Sequence, residues 1–161
     1  WGFRMIAGGE DPRFIIRRMM IFASEDIGNA DPQALELAVA TAQAFDRLGL
    51  PEGRIPLAHC ITYLACAPKS NRSYVAMHQA LAAIEENPKA SVPIHLRNAP
   101  TELMKKLGDG DDYHYPHDCE EGHVKGVQYL PDECKERRFY VPAEHGAECA
   151  IRERLAKWRG K

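Results

Sequence analysis

Helix-start signals recur along this chain, and they constrain its fold more than any other feature. Asp11-Pro12 and Asp31-Pro32 each place a carboxylate N-cap before a proline at the first helical position. Proline is tolerated there because the first N–H groups of a helix have no partner within the helix. Alternating apolar patterns typical of strands are scarce by comparison. The sequence therefore predicts an all-α fold.

Apolar residues at helical spacing extend these starts into a stack of helices. Residues 14–23 are apolar on nearly every side apart from Arg17 and Arg18, which indicates a mostly buried helix. A second helix is predicted after Asp31, and a third from about Arg54 to Cys66. A fourth is predicted from Ser70 or Asn71 to Asn87-Pro88. The last of these carries one apolar stripe, formed by Tyr74, Met77, Leu81 and Ile84.

The second half of the chain is less regular. A short helix is predicted from Thr101 to Leu107, and Gly108–Pro131 then forms a connection rich in Gly, Asp, His and Tyr. A connection of this length inside a compact domain is expected to be functional or to pack as an ordered loop. Pro131 is predicted to open another short helix, and a final amphipathic helix is predicted over 144–158.

Charge and cysteine content exclude several classes of protein. The 161 residues carry a formal net charge of -2, whereas small domains that coat DNA by bulk electrostatics are clearly basic. The apolar runs are shorter than the roughly 20 residues that a membrane-spanning helix needs. The five cysteines are odd in number and lack paired spacing, so we expect reduced thiols in a cytosolic compartment.

The chain lacks the motifs of common catalytic sites. It contains no phosphate-binding Gly-x-x-x-x-Gly-Lys-Ser/Thr loop, no Gly-x-Ser-x-Gly elbow and no dinucleotide fingerprint. Residues 108–112 resemble part of a calcium loop, but the ligand pattern ending in Glu is not met, so a solvated acidic turn is the preferred interpretation. We therefore predict no catalytic, cofactor-binding or metal-binding residues.

One group of potential zinc ligands provides the least favoured hypothesis, a zinc-dependent or thiol enzyme. His114, His117, Cys119 and His123 lie within ten positions, and zinc binds such side chains in tetrahedral sites. Their spacing matches no common structural zinc pattern, and no second pair of ligands is present to close the site. Hydrogen bonds to backbone carbonyls are the alternative use of these imidazoles.

Local basic clusters are the candidates for contact with DNA. Lys69 and Arg72 flank the start of a predicted helix, whose first N–H groups would donate to a phosphate. Lys105 and Lys106 form a second cluster. Phosphate affinity depends on the local patch more than on the net charge. These residues predict a DNA-binding or partner-docking module, with dispersed solubilising charge as the alternative for each pair.

Surplus apolar surface is the candidate for contact between subunits. The helices near residues 14–23 and 54–66 are too apolar for the exterior of a small bundle. Ile16 and Met20 on the first helix, with Ile61 and Leu64 on the other, are therefore predicted to line an interface.

Ordered motifs cover nearly the whole chain. The longest are IFASEDIGNADPQAL at 21–35 and HLRNAPTELMKKLG at 95–108, and shorter ones occupy 8–15, 49–58, 63–71, 113–118 and 128–133. They resemble the C-terminal region of the replication-associated recombination protein A (RarA/MgsA) family of bacterial AAA+ ATPases. That family is related to the Werner-helicase-interacting ATPases and to clamp-loader subunits. The acidic turn at 118–123 departs from the family pattern.

The resemblance implies a fold and a division of labour. Residues 1–10 would be the tail of the AAA+ lid region, and residues 11–161 a helical oligomerisation domain similar to the clamp-loader collar, with a long ordered loop before its C-terminal helices. ATP and Mg would bind in an N-terminal part that precedes Trp1, so the fragment itself is expected to hold no cofactor and to be non-catalytic.

The resemblance also implies partners and a place of action. The chain is expected to form a homo-oligomer, a tetramer, and the parent ATPase to act on forked DNA or single-strand/duplex junctions in replication-fork maintenance and recombination. Single-strand-binding protein is a further candidate partner. The expected location is the bacterial cytoplasm, associated with the nucleoid and not with a membrane.

Overall fold

The computed structural model describes residues 1–119 and 122–160, and the regular structure in that part of the chain is entirely helical. This confirms the predicted all-α fold. None of the described helices is both long and apolar enough to cross a membrane. The α-helices there are α1 (Gly2–Ala7), α2 (Pro12–Phe22), α3 (Gln33–Leu48), α4 (Arg54–Cys66), α5 (Arg72–Glu86), α6 (Glu102–Lys106) and α7 (Glu148–Trp158).

Short helical turns join several of these helices. A π-helical turn at Ala23–Ile27 continues α2, and a 3-10 turn at Gly28–Ala30 follows it directly. Further 3-10 turns occupy Ile94–Leu96, Pro116–Asp118 and Asp132–Cys134. The last of these confirms the short helix predicted after Pro131.

Both aspartates accept a hydrogen bond near a helix start, but only α2 begins at the predicted proline, because α3 begins at Gln33 with Pro32 as its N-cap residue. An Asp11 carboxylate oxygen accepts from the N–H of Arg13 at 2.8 Å, at the start of α2. Asp31 accepts from the N–H of Gln33 at 3.2 Å, at the start of α3. Each carboxylate satisfies a donor that has no partner inside its helix.

The chain divides into two compact units. The first comprises Trp1–Met77 with Tyr140–Glu153, and the second comprises the described residues of His78–Phe139 and Arg154–Lys161. Helix α5 therefore begins in the first unit and ends in the second.

Helices α2, α3 and α4 build the core of the first unit. Ala34 and Ala38 are fully buried on α3, and their small side chains allow close packing against the neighbouring helices. Leu57 and Cys60 fill the core from α4. Burial of a Leu side chain contributes roughly 1.5–3 kcal/mol, so this contact region stabilises the stack substantially.

Helix α2 differs from its prediction. Ile15, Ile16 and Met19 are buried, but Phe14 is 39% exposed and Arg17 lies in solvent. The arginine edge lies in solvent as predicted, but the helix as a whole is amphipathic and less buried than predicted, because one of its faces packs against α3 and α4.

Hydrogen bonds and one ion pair order the start of the long connection in the second unit. Arg97 donates to the carbonyl of Val92 at 2.8 Å and lies 3.4 Å from the Asp109 carboxylate. Gly110 N–H donates to the carbonyl of Ile94 at 2.9 Å. These contacts hold residues that follow α6 against the 3-10 turn that precedes it.

Candidate functional site

A fully buried carboxylate lies at the start of α7 in the first unit. The Glu148 side chain is inaccessible to solvent and accepts three hydrogen bonds. Ser70 Oγ, Tyr140 OH and the N–H of Ala143 each donate at 2.7 Å. The sequence predicted a helix over 144–158, whereas α7 begins at Glu148. A buried carboxylate was not predicted.

The tyrosine in this network is held from both sides. Asn29 Nδ2 donates to the Tyr140 hydroxyl at 3.1 Å, and that hydroxyl donates to Glu148. Burial, followed by the hydrogen bond to Glu148, raises the pKa of Tyr140, although the Asn29 bond opposes the shift. The network therefore keeps Tyr140 as a neutral donor.

Ser70 connects the network to α5. Its Oγ accepts from the N–H of Arg72 at 3.3 Å, which caps the first turn of α5, and it donates to Glu148. Its backbone N–H donates to the carbonyl of Asp26 in the π-helical turn at 2.7 Å. The carboxylate thus orients the residue that positions the start of α5. This arrangement is structural, because every buried donor in it already has a partner.

The first pair of predicted DNA contacts lines one cavity. Lys69 and Arg72 border a cavity of about 290 Å³ together with His145 and Asp26. The Lys69 ammonium is bonded to the carbonyls at the C-terminal end of α4, at 3.3 Å for that of Ala65. Arg72 is exposed. The cavity is cationic on balance, but Asp26 and the engaged lysine reduce its attraction for a phosphate.

The second predicted pair lies in the second unit. Lys105 and Lys106 are exposed on the short helix α6, and Lys105 lies 3.4 Å from a Glu102 carboxylate oxygen. An exposed ion pair of this kind is weak and leaves the lysine free to exchange partners. Neither lysine borders the cavity formed by Lys69 and Arg72.

The residues predicted to line an interface lie in the core or against it. Ile16 and Leu64 are only 4% and 3% exposed. Met20 and Ile61 are partly buried and pack against the same core. Contacts within the chain already cover Ile16 and Leu64, so an interface would have to use other residues.

Helix α5 presents the apolar face that is left exposed. Tyr74, Met77, Leu81 and Ile84 are 39%, 48%, 50% and 64% exposed. Their spacing of three, four and three residues corresponds to positions a and d of a heptad, which lie on one side of a helix. The stripe was visible in the sequence, but its exposure was not. We call these residues the α5 face.

The three histidines among the potential zinc ligands have separate partners. His114 Nδ1 lies 2.8 Å from the carbonyl oxygen of Asp112, and the His117 ring lies 5.0 Å from that of Tyr115. His123 stacks on Trp158 with ring centroids 4.9 Å apart. Across residues 1–119 and 122–160, no three His, Cys, Asp or Glu side chains are arranged to hold a metal ion.

Family comparison assigns the chain to a class and then to a family. Residues 1–159 match the family described as MgsA AAA+ ATPase C terminal, so the class is the helical C-terminal domain of an AAA+ ATPase. The chain belongs to this MgsA family, which confirms the resemblance identified from its motifs.

Individual relatives agree with this assignment. The chain is 47% identical over 156 residues to Replication-associated recombination protein A of Escherichia coli K12, covering 97% of the chain and 35% of that protein. Identity to the Coxiella burnetii protein of the same name is 46%, covering 99% of the chain and 36% of the relative. ATPase WRNIP1 of Dictyostelium discoideum is 42% identical over 140 residues, covering 87% of this chain and 16% of that protein. The chain thus spans about a third of the length of its bacterial relatives.

Proposed function

We propose that this chain is the non-catalytic oligomerisation domain of an AAA+ ATPase that acts in replication-fork maintenance and recombination. Membership of the MgsA family and the names of its relatives support the cellular role. The observation that carries the oligomerisation role is the α5 face, because an apolar stripe at heptad spacing is suited to a helix of another subunit.

The energetic argument for the α5 face rests on its exposure. Burying a large apolar side chain completely contributes roughly 1.5–3 kcal/mol, so covering four half-exposed ones contributes a few kcal/mol per subunit. Association costs at least about 4 kcal/mol, and stable interfaces generally exceed about 1,000 Å². The α5 face would therefore form the centre of a larger contact.

Further exposed apolar residues support a tetramer. Leu35 and Val39, one turn apart on α3, are 42% and 38% exposed, and Ile55 on α4 is 72% exposed. A tetramer with dihedral symmetry requires two different self-complementary contacts, one more than a dimer. The residues on α3 and α4 supply candidates for the second contact.

Catalysis would belong to the remainder of the parent protein. ATP and Mg would bind in the N-terminal AAA+ part, and forked or junction DNA would be engaged by the assembled ATPase in the bacterial cytoplasm. Tetramerisation would hold several ATPase modules together on one DNA substrate. Single-strand-binding protein remains a candidate partner of the assembly.

Light scattering coupled to gel filtration over a concentration series tests oligomerisation. We expect a tetramer for the unchanged chain and dissociation for the double variant Leu81→Lys with Ile84→Lys. Both positions are at least half exposed, so the fold should tolerate lysine there. Gln79→Lys is the matched control, because Gln79 is exposed on the opposite side of α5 and should leave the mass unchanged. A monomeric unchanged chain would refute the proposal.

A second candidate function is DNA binding at the start of α5. Lys69, Arg72 and His145 border one cavity, and the 15-residue helix α5 begins at Arg72 beside it. Titration of fluorescent forked DNA at low and moderate salt tests this function. Phosphate contacts predict steep weakening with salt and weaker binding for Arg72→Gln, whereas Arg154→Gln on α7 should have little effect.

A further inference from the structure

Two cavities in the second unit adjoin each other along a shared wall. Their volumes are about 480 and 500 Å³, and both are bordered by Ile94, His95 and Gln128. His95 Nε2 lies 2.9 Å from the carbonyl oxygen of Gln128, so a hydrogen bond joins two of the residues that both lobes share. We call this feature the bilobed groove.

Exposed apolar side chains line both lobes of the bilobed groove. Val92 and Ile94 are 56% and 51% exposed, and Leu107 is 68% exposed. Ile94 borders both lobes, Leu107 borders the first lobe and Val92 the second. An apolar surface of this kind between polar rims is typical of a binding groove rather than of ordinary exterior.

Carboxylates stand in both lobes. Asp111 and Asp112 line the first lobe, and Asp132 and Glu133 line the second. Among the described residues, none of these four lies within 4.0 Å of a Lys, Arg or His nitrogen in a salt bridge. The groove therefore carries negative charge in each lobe that is not neutralised by a direct ion pair.

Arg97, which lines the second lobe, is already engaged by partners within the chain. Arg97 borders the second lobe, but its guanidinium contacts Asp109 at 3.4 Å, the Val92 carbonyl at 2.8 Å and Ser91 Oγ at 3.2 Å. The guanidinium therefore finds its carboxylate partner and its hydrogen-bond acceptors within the chain. Arg97 therefore stabilises the wall of the groove. The charge of the groove comes mainly from the four carboxylates.

This combination selects one kind of occupant. A nucleic acid would be repelled, since its phosphates would face carboxylates in both lobes. Lysine and arginine combine a cationic end with an apolar stem, which suits lobes that each carry both apolar and acidic side chains. An extended peptide also spaces its side chains regularly along such a groove.

We propose that the bilobed groove binds an extended segment of another protein, with apolar residues at its centre and Lys or Arg on both sides. The apolar side chains of the bound segment pack against Ile94 and Leu107, and its basic side chains contact Asp111 and Glu133. Complementary charge sets the orientation and the rate of encounter, while the apolar contact resists dissociation. The interaction does not depend on the oligomeric state proposed above.

Fluorescence anisotropy with a labelled synthetic peptide of sequence KKVLVKK tests the proposal. We expect the peptide to bind the chain, to weaken as salt rises, and to bind much better than its acidic counterpart EEVLVEE. The double variant Asp111→Asn with Glu133→Gln should weaken binding about tenfold, because it removes one carboxylate from each lobe. Glu136→Gln is the matched control, since Glu136 is exposed but does not border the groove.

A third variant tests the apolar part without relying on charge. Leu107 is mostly exposed, so Leu107→Ser should retain the fold while weakening the peptide by several fold. Circular dichroism of each variant verifies folding, and the salt dependence of the unchanged chain requires no variant. The proposal is overturned if KKVLVKK does not bind, if EEVLVEE binds equally well, or if the folded variants bind like the control.

Discussion

Ser70 Oγ donates a hydrogen bond to the buried carboxylate of Glu148 at 2.7 Å, although the two residues lie 78 positions apart in the chain. The same carboxylate accepts from Tyr140 and from the backbone of Ala143. These bonds fasten the segment that leads into α7 to the start of α5 within the first unit. A buried ionisable group without such donors would be strongly destabilising.

Removal of this carboxylate should destabilise the fold markedly. Glu148→Ala leaves one buried and two partly buried donors without this acceptor, and each unsatisfied buried group costs about 1–3 kcal/mol. We expect a loss of about 3 kcal/mol or more in the free energy of unfolding, measured by urea denaturation. Glu153→Ala, an exposed change on the same helix, should alter stability by less than about 0.5 kcal/mol. Equal losses in the two variants would contradict the role assigned to Glu148.

A side chain at Gly146 should prevent the close approach that precedes α7. A Cβ there would overlap the carbonyl oxygen of Ala30 and lie 2.7 Å from Pro68 Cγ. Gly49 has a similar positive φ, +63° against +54°, but has open space around its Cβ direction. Gly146→Ala should therefore cost about 1–3 kcal/mol more than Gly49→Ala in thermal or urea unfolding. A smaller difference would mean that the contact yields easily.

Alkaline pH should weaken the first unit through two tyrosines. Burial raises the pKa of Tyr140, and the hydrogen bond to Asp31 raises that of Tyr63. A raised pKa means that the folded state favours the neutral phenol. The resulting stability is complete below the ordinary tyrosine pKa of about 10 and is lost as pH rises through the folded-state pKa.

Ultraviolet difference titration measures this effect directly. Two of the six tyrosines should ionise later than the others, and Tyr140→Phe should remove one of the two late transitions. The slope of unfolding free energy against pH should become shallower in that variant above about pH 10. Simultaneous ionisation of all tyrosines would show that the network does not persist in solution.

The five cysteines should differ in reactivity. Cys66 and Cys149 are exposed and should react rapidly with Ellman's reagent, whereas Cys60 and Cys134 are buried. Burial also raises the pKa of the Cys60 thiol, which lowers its thiolate fraction at neutral pH. Cys60 should react only when urea unfolds the chain. Rapid modification of Cys60 under native conditions would indicate that the helical core opens readily.

Local signals predicted the helices well. The carboxylate of Asp11 caps α2 as predicted, and α4 spans the predicted Arg54–Cys66. These features depend on residues a few positions apart, so their chemistry can be read along the chain. The start of α7 was less predictable, because the segment before Glu148 is held by Ser70 and Ala30 and not by its own helix.

Surface and core were harder to separate from sequence. Ile16 and Leu64 were predicted to face another subunit, but they are buried, whereas Leu81 and Ile84 remain exposed. Periodicity identifies the apolar side of each helix without indicating what will cover it. Which apolar residues become buried depends on how α2, α3 and α4 pack against one another.

The sequence by itself determined the all-α class, most helix boundaries and the family, because capping, periodicity and ordered motifs are encoded locally. Only the tertiary structure decided that Glu148 is buried among its donors, that the α5 face stays exposed, and that the acidic residues of the bilobed groove border one apolar surface. Each of these properties depends on which distant residues come within a few ångströms. Such proximity follows from the packing of the whole chain and has no local signal in the sequence.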